Sequence, residues 1–196
     1  MFIAIGKVVT WGDPNEILED KALLISDGVI QEIADTRELM AAHPTEEVLD
    51  AQGQMVMPGL ICAHTHFYGA FSRGMAIPGE PSRNFQEILA NLWWKLDKGL
   101  DEDGVRYSAL ALLADATKYG CTTLFDHHAS PNCIDGSLDI EADAITESGL
   151  RASLCYEVTD RDGEERALAG IRENGRFVSG VQAGKYGSML KAHFGL

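Results

Sequence analysis

The sequence predicts an α/β fold: about the first four strands of a TIM-like (β/α) barrel, preceded by a small β-sandwich module. Three observations predict it. Residues 1–57 carry short β-rich runs separated by turn dipeptides. From residue 58 onward, apolar strand-like runs alternate with amphipathic helical segments. The spacing also fits: a barrel of about 250 residues uses about 31 per strand–helix unit. Residues 58–196 therefore have room for about four units, and candidate strands begin near residues 60, 121, 150 and 190.

In the first module, Phe2 to Thr10 is apolar and β-branched and reads as a strand. Lys21–Ser26 and Val29–Ile33 flank Asp27-Gly28, a pair suited to a type I′ hairpin turn. Thr36–Ala42 reads as one or two helical turns stopped at His43-Pro44. Val48–Ala51 and Gln54–Met57 flank a second turn dipeptide, Gln52-Gly53.

After Pro58-Gly59 the pattern changes. Leu60-Ile61-Cys62-Ala63 is an unbroken apolar run, expected of a strand buried on both faces. A Gly- and Pro-rich loop is expected over Gly69–Ser82. Asn84–Leu96 follows as a helix with Phe85, Ile88, Leu89, Leu92 and Leu96 on one stripe. Asp101–Tyr119 carries the clearest helix signals: Asp101 as N-cap, acids in the first turn, Lys118 in the last, and Gly120 beyond it. Cys121–Phe125 reads as a strand, Leu138–Ser148 as a helix stopped by Gly149, and Leu150–Val158 as a strand. Glu164–Glu173 reads as a helix and Ser188–Leu196 as a last strand.

Composition excludes several function classes. The chain has 196 residues, with 16 Lys and Arg against 30 Asp and Glu, for a net charge of −14. Such a balance argues against nucleic acid and anionic membrane as partners. No apolar run approaches the length of a membrane span, and the N-terminus lacks the pattern of a secretory signal. The four cysteines form no C-x-x-C pair, so reduced thiols and a cytoplasmic location are expected. Phosphate-binding Gly-rich motifs and the G-x-S-x-G nucleophile motif are absent.

The chemistry concentrates in Pro58-Gly59-Leu60-Ile61-Cys62-Ala63-His64-Thr65-His66. Side chains alternate along a strand, so His64 and His66 leave the same face, about 6.5 Å apart along the chain. They fall at the strand's C-terminal end, where barrel active sites form. Two converging imidazoles there can hold one divalent ion such as zinc. Three further residues are candidates for substrate contact, each with a plainer alternative. Arg73 lies in the loop after the first barrel strand and could bond a polar ring substituent or remain a solvated loop residue. Of Trp93 and Trp94, one belongs to the helix core, and Trp94 could stack on a heterocycle. His127 and His128 point to opposite faces, so only one can face the barrel mouth; His128 could touch substrate or bond locally. His193 reads as structural.

Met57-Pro58-Gly59-Leu60 followed by His64-Thr65-His66 resembles the opening signature of the amidohydrolase superfamily. More narrowly, it resembles the ATZ/TRZ-like branch of aminohydrolases and chlorohydrolases. Phe71-Ser72-Arg73-Gly74, Leu92-Trp93-Trp94-Lys95-Leu96-Asp97 and Phe125-Asp126-His127-His128-Ala129-Ser130 look closest to the SsnA-type aminohydrolases. The resemblance covers essentially all of the chain but about the first half of a family member. It implies one divalent metal, zinc foremost and iron in some members, with His64 and His66 as ligands. It implies hydrolysis of a C–N or C–Cl bond on a small nitrogen heterocycle by metal-activated water. The family's strand-5 His, its Glu and His for proton transfer, and its strand-8 Asp have no counterparts here. A catalytic zinc site takes three protein ligands and a water, and this pair supplies two. The expectation is therefore a chain inactive by itself: a silent truncated portion whose only biochemistry is weak metal binding or self-association, or one half of a split enzyme completed by another chain that supplies strands 5–8. A two-metal hydantoinase-like site is the remaining rival, but nothing around Lys191 marks it as a bridging lysine.

Overall fold

The computed structural model describes residues 1–196, and the chain divides into two units, Met1–Pro58 and Gly59–Leu196. The first unit contains β1 (Phe2–Ala4), β2 (Lys7–Val9), β3 (Ile17–Leu18), β4 (Lys21–Ser26), β5 (Val29–Asp35), α1 (Thr36–Ala42), β6 (Val48–Asp50) and β7 (Met55–Val56). Two small sheets result, of order β5-β4-β1-β6 and β3-β2-β7. The β4–β5 hairpin turns on Asp27 and Gly28, whose φ values of 53° and 75° are those a type I′ turn requires. Phe2–Thr10 is not one strand. Ile5 sits at φ 58°, and Gly6 passes so near Ala51 and Gln54 that a Cβ would lie 2.8 Å from the Gln54 carbonyl oxygen. The chain therefore leaves the first sheet at β1 and enters the second at β2. Phe2, Ala4, Ala22 and Leu39 form this unit's core.

The second unit contains β8 (Leu60–Thr65), α2 (Phe85–Ile88), α3 (Trp94–Leu96), α4 (Glu102–Lys118), β9 (Cys121–His128), α5 (Ser137–Ser148), β10 (Arg151–Tyr156), α6 (Glu164–Gln182) and β11 (Leu190–Ala192). The four strands are parallel, in spatial order β11-β10-β9-β8. Sequential parallel strands joined through helices are the plan of a (β/α) barrel, and four of them make a partial one. The core lies between sheet and helices, with Phe67, Leu113, Leu124, Leu138, Ile145, Leu154, Phe177 and Leu190 fully buried. Asp101 caps α4 by accepting the Gly104 N–H at 2.8 Å, and Gly149 ends α5 at φ 72°. No helix is long and apolar enough to cross a membrane.

Three further expectations change. β8 is not buried on both faces: Leu60 and Ile61 are 43% and 65% exposed, because β8 is an edge with only β9 beside it. The segment from Phe85 to Leu96 is helical but carries a π turn at Leu89–Trp93. That turn breaks the 3.6-residue phase; Phe85 and Ile88 of the expected stripe are exposed, while Leu96 packs against the Tyr68, Leu100 and Val105 cluster. The last strand is short: Leu190–Ala192 pairs with β10, and Gly195 adds one isolated bridge to Glu157.

Candidate metal centre

The C-terminal ends of β8 and β9 place three imidazoles together. The His64 and His66 rings are 4.9 Å apart at 90°, and the His127 ring lies 6.2 Å from the first and 5.7 Å from the second. His66 Nδ1–H donates to the His127 carbonyl oxygen at 2.6 Å. That bond fixes the tautomer and leaves Nε2 with its lone pair free, as a metal ligand requires. Burial, together with the charges of His64 and His127, holds His66 below the ordinary histidine range, outweighing the bond to the His127 carbonyl. His66 is therefore neutral at pH 7. Burial lowers His127 as well.

These residues line a cavity of ≈ 590 Å³ whose walls include Tyr68, Phe85, Trp93, Trp94, Asp97, Glu157 and Arg161. Trp93 stands 5.4 Å from His66 and edge-on to Tyr68 at 5.7 Å. The Arg161 guanidinium lies 5.5 Å over the Trp94 ring and donates to Asp97 at 2.5 Å. The cavity thus combines flat aromatic faces with a charged floor, the usual makeup of a pocket for a small polar ring.

Of the candidate substrate contacts, only Trp94 lines this cavity, and Trp93 joins it. His128 does not. It is fully buried on the other side of β9, with Nε2 2.9 Å from Ser130 Oγ and Nδ1 2.8 Å from Glu141 Oε1. Alternation along β9 sends His127 to the cavity and His128 inward. Burial pushes His128 down to about 4. Arg73 is also elsewhere: it pairs with Asp115 of α4 and donates to the Ala70 carbonyl at 3.3 Å. His193 bonds Ser153 Oγ through Nδ1 at 2.9 Å, a structural role.

The sequence reading missed a second donor group. Asp126, His128 and Glu141 bring ligand-type atoms within 4.8 Å of one another, all three side chains fully buried. Burial pushes both carboxyls well above their ordinary range, and in Asp126 the Glu141 charge adds to it. Glu141 falls on the helical stripe of Leu138, Ala142 and Ile145; an acid among buried apolar positions is the signal that could have found it.

Comparison with known proteins fits this geometry. Residues 55–193 match the amidohydrolase family. The chain is 31% identical over 183 residues to a 5-methylthioadenosine/S-adenosylhomocysteine deaminase of Pyrococcus furiosus, covering 92% of this chain and 39% of that protein. It is 30% identical over 134 residues to an 8-oxoguanine deaminase of Pseudomonas aeruginosa, covering 67% and 29%. Among solved structures, a guanine deaminase from C. acetobutylicum with bound guanine superposes with a TM-score of 0.78 at 15% identity, over 99% of this chain and 45% of that one. Atrazine chlorohydrolase TrzN from Arthrobacter aurescens TC1 complexed with zinc gives 0.74 at 20% identity, over 98% and 46%. The chain spans less than half the length of these relatives. With a parallel four-strand sheet of barrel order, a His-x-His pair at the end of its first strand, and the match over residues 55–193, the chain belongs to the amidohydrolase family.

Proposed function

We propose that this chain is the N-terminal portion of a metal-dependent aminohydrolase that removes an amino or chloro substituent from a small nitrogen heterocycle. The observation that carries the reading is the His66–His127 bond, which frees Nε2 beside the His64 ring at the mouth of an aromatic cavity. Two neutral-capable imidazoles are a borderline-soft donor set that fits zinc first and ferrous iron second. His64 and His66 would hold the ion. When bound, it lowers the pKa of water toward neutrality and polarises the carbon under attack. The chain's own residues do the rest. Trp93 and Trp94 offer faces for a planar ring, and Asp97 and Arg161 offer polar contacts to its substituents. The names of the relatives support a purine- or triazine-like substrate.

The donor count favours a second reading of the chain by itself. Two histidines do not complete a catalytic zinc site. On this reading the chain alone is silent, and a complementing C-terminal half or a second copy brings the missing ligand. Residues 1–57 then serve as part of a β-sandwich and residues 58–196 as the ligand-bearing half of the barrel. The free thiols of Cys62, Cys121, Cys133 and Cys155 support a cytoplasmic setting.

The test is ammonia release from guanine, 8-oxoguanine and adenosine derivatives by the zinc-loaded chain, with and without the C-terminal portion of a relative. Release only in the presence of that portion supports both statements. Release by the chain alone removes the silent reading. No release under either condition, with no zinc retained by His64 and His66, overturns the aminohydrolase reading.

A further inference from the structure

The buried group on the inner side of β9 takes no part in the function proposed above. Asp126 and His128 are alternate residues of β9 and leave the same face of the strand. Glu141 reaches them from α5. Ser130 O–H donates to the Cys133 carbonyl at 2.6 Å, so Ser130 Oγ accepts from His128 Nε2–H at 2.9 Å. Nδ1 is thereby directed to Glu141 Oε1, 2.8 Å away, but without the alignment of a hydrogen bond. Both Glu141 oxygens and Asp126 Oδ2 are likewise buried with no N–H or hydroxyl donor, the two carboxyls within hydrogen-bond reach of each other, while Asp126 Oδ1 accepts the Phe67 N–H at 2.6 Å. Lone-pair atoms from three side chains therefore converge, within 4.8 Å of one another, in a fully buried interior.

Two ionised carboxyls and a neutral imidazole carry two negative charges, which an interior does not tolerate uncompensated. One divalent cation or two protons would balance them. The geometry favours the cation. Two ligand atoms at right angles around one ion, each about 2.1 Å from it, stand about 3 Å apart, close to the His128–Glu141 separation. Protons on the carboxyls would be shared between Asp126 and Glu141 and would leave the His128 Nδ1 lone pair facing Glu141 Oε1 with no aligned hydrogen bond, a contact that a shared cation satisfies. Tying the remote imidazole nitrogen to a hydrogen-bonded hydroxyl is also how proteins orient a ligating histidine. We propose that Asp126, His128 and Glu141 form a second divalent-cation site, separate from His64 and His66. One imidazole and two carboxylates suit Zn²⁺ or Mn²⁺, and the depth of the site means that the ion enters as the chain folds.

The test uses the 196-residue chain carrying His64→Ala and His66→Ala, refolded separately with Zn²⁺ and with Mn²⁺, dialysed, and analysed for metal by mass spectrometry. The expected result is about one tightly held ion per chain for at least one of the two metals, lost when Glu141→Gln is added. Neither metal retained before that addition overturns the proposal. Because Glu141→Gln can itself unfold the chain, ¹⁵N NMR of His128 with Glu141 intact supplies a second reading. Nδ1 without a proton, shifting on Zn²⁺ loading, supports the site. A His128 whose nitrogens respond to neither metal, whichever protons they carry, shows a proton-balanced cluster and overturns it.

Discussion

His66 Nδ1–H donates to the main-chain carbonyl of His127 across 2.6 Å, which ties the end of β8 to the end of β9 through a side chain rather than through the sheet ladder. The two strands fall out of register between Cys62 and Thr65, just before this point. The His66 bond therefore does locally what strand pairing does elsewhere, and it aims Nε2 away from the sheet. Removing either ring should abolish the paired donor set. His64→Ala and His66→Ala are each expected to weaken zinc binding at this end by at least about 100-fold. Chelator competition measures the affinity. Unchanged affinity in both variants would show that zinc, if held, sits elsewhere.

Glu173 of α6 performs the N-terminal capping that α5 lacks. The α5 cap position is Gly136, which has no side chain. Glu173 accepts the Gly136 N–H at 3.1 Å and the Leu138 N–H at 3.2 Å, and its two oxygens take Arg176 Nε at 2.8 Å and Nη2 at 2.7 Å. Glu173→Ala strands buried donors and should destabilise the second unit by about 2–4 kcal/mol. Glu173→Gln keeps one acceptor and should cost less. Denaturant midpoints of the two variants check the order, and equal loss in both would show that packing rather than capping is at stake.

Much of this fold was legible because local rules and tertiary needs agreed. Asp27-Gly28 makes its turn, Asp101 caps its helix, and the period of 2 sets His64 and His66 side by side. The failures have physical causes. Ile5 and Gly6 split an apolar run because the chain must change sheets, which hydrophobicity alone does not encode. The π turn at Leu89–Trp93 shifted a helical phase and brought both tryptophans to the cavity. His127 and His128 were correctly set on opposite faces, but which face was the cavity depended on pairing between β8, β9 and β10. Glu141 lay outside the reading altogether, since its partners are more than ten residues away on another element.

Gly59 immediately precedes β8, and a Cβ there would fall inside the van der Waals envelope of the Thr122 side chain on β9. Thr122 follows Cys121, the residue in register with Leu60. Gly59→Ala should push the start of β8 off its only neighbouring strand, at a cost of about 1–3 kcal/mol. Thr122→Gly in the same chain should restore part of that loss, because it removes the obstructing atoms. A double-mutant cycle on unfolding free energy gives the coupling. A coupling near zero would show that the glycine is needed for its backbone alone.

Asp139, in the first turn of α5, ties that helix to the C-terminal end of α6 and the turn after it. It accepts from Arg176 Nη1 at 2.8 Å, from Lys185 Nζ at 3.2 Å and from the Tyr186 hydroxyl. Partial burial pushes its carboxyl up, but the hydrogen bonds from Tyr186 and Lys185 and the Arg176 charge outweigh it, and the group sits below the ordinary carboxylate range. A folded pKa below the unfolded value, about 3.9, means that the carboxylate's stabilisation is fully present above that pH. It is lost as pH falls through the folded value. The wild-type chain and Asp139→Asn should therefore differ in thermal midpoint from pH 7 down to about pH 5, and the gap should close toward about pH 2. The buried carboxyls of Asp126 and Glu141 are raised rather than lowered, so they act in the opposite sense, but they are common to both chains and cancel in the difference. Melting curves followed by circular dichroism at half-unit pH steps measure it. A gap that holds constant into acid, or widens there, would mean that Asp139 acts through its shape and not through its charge.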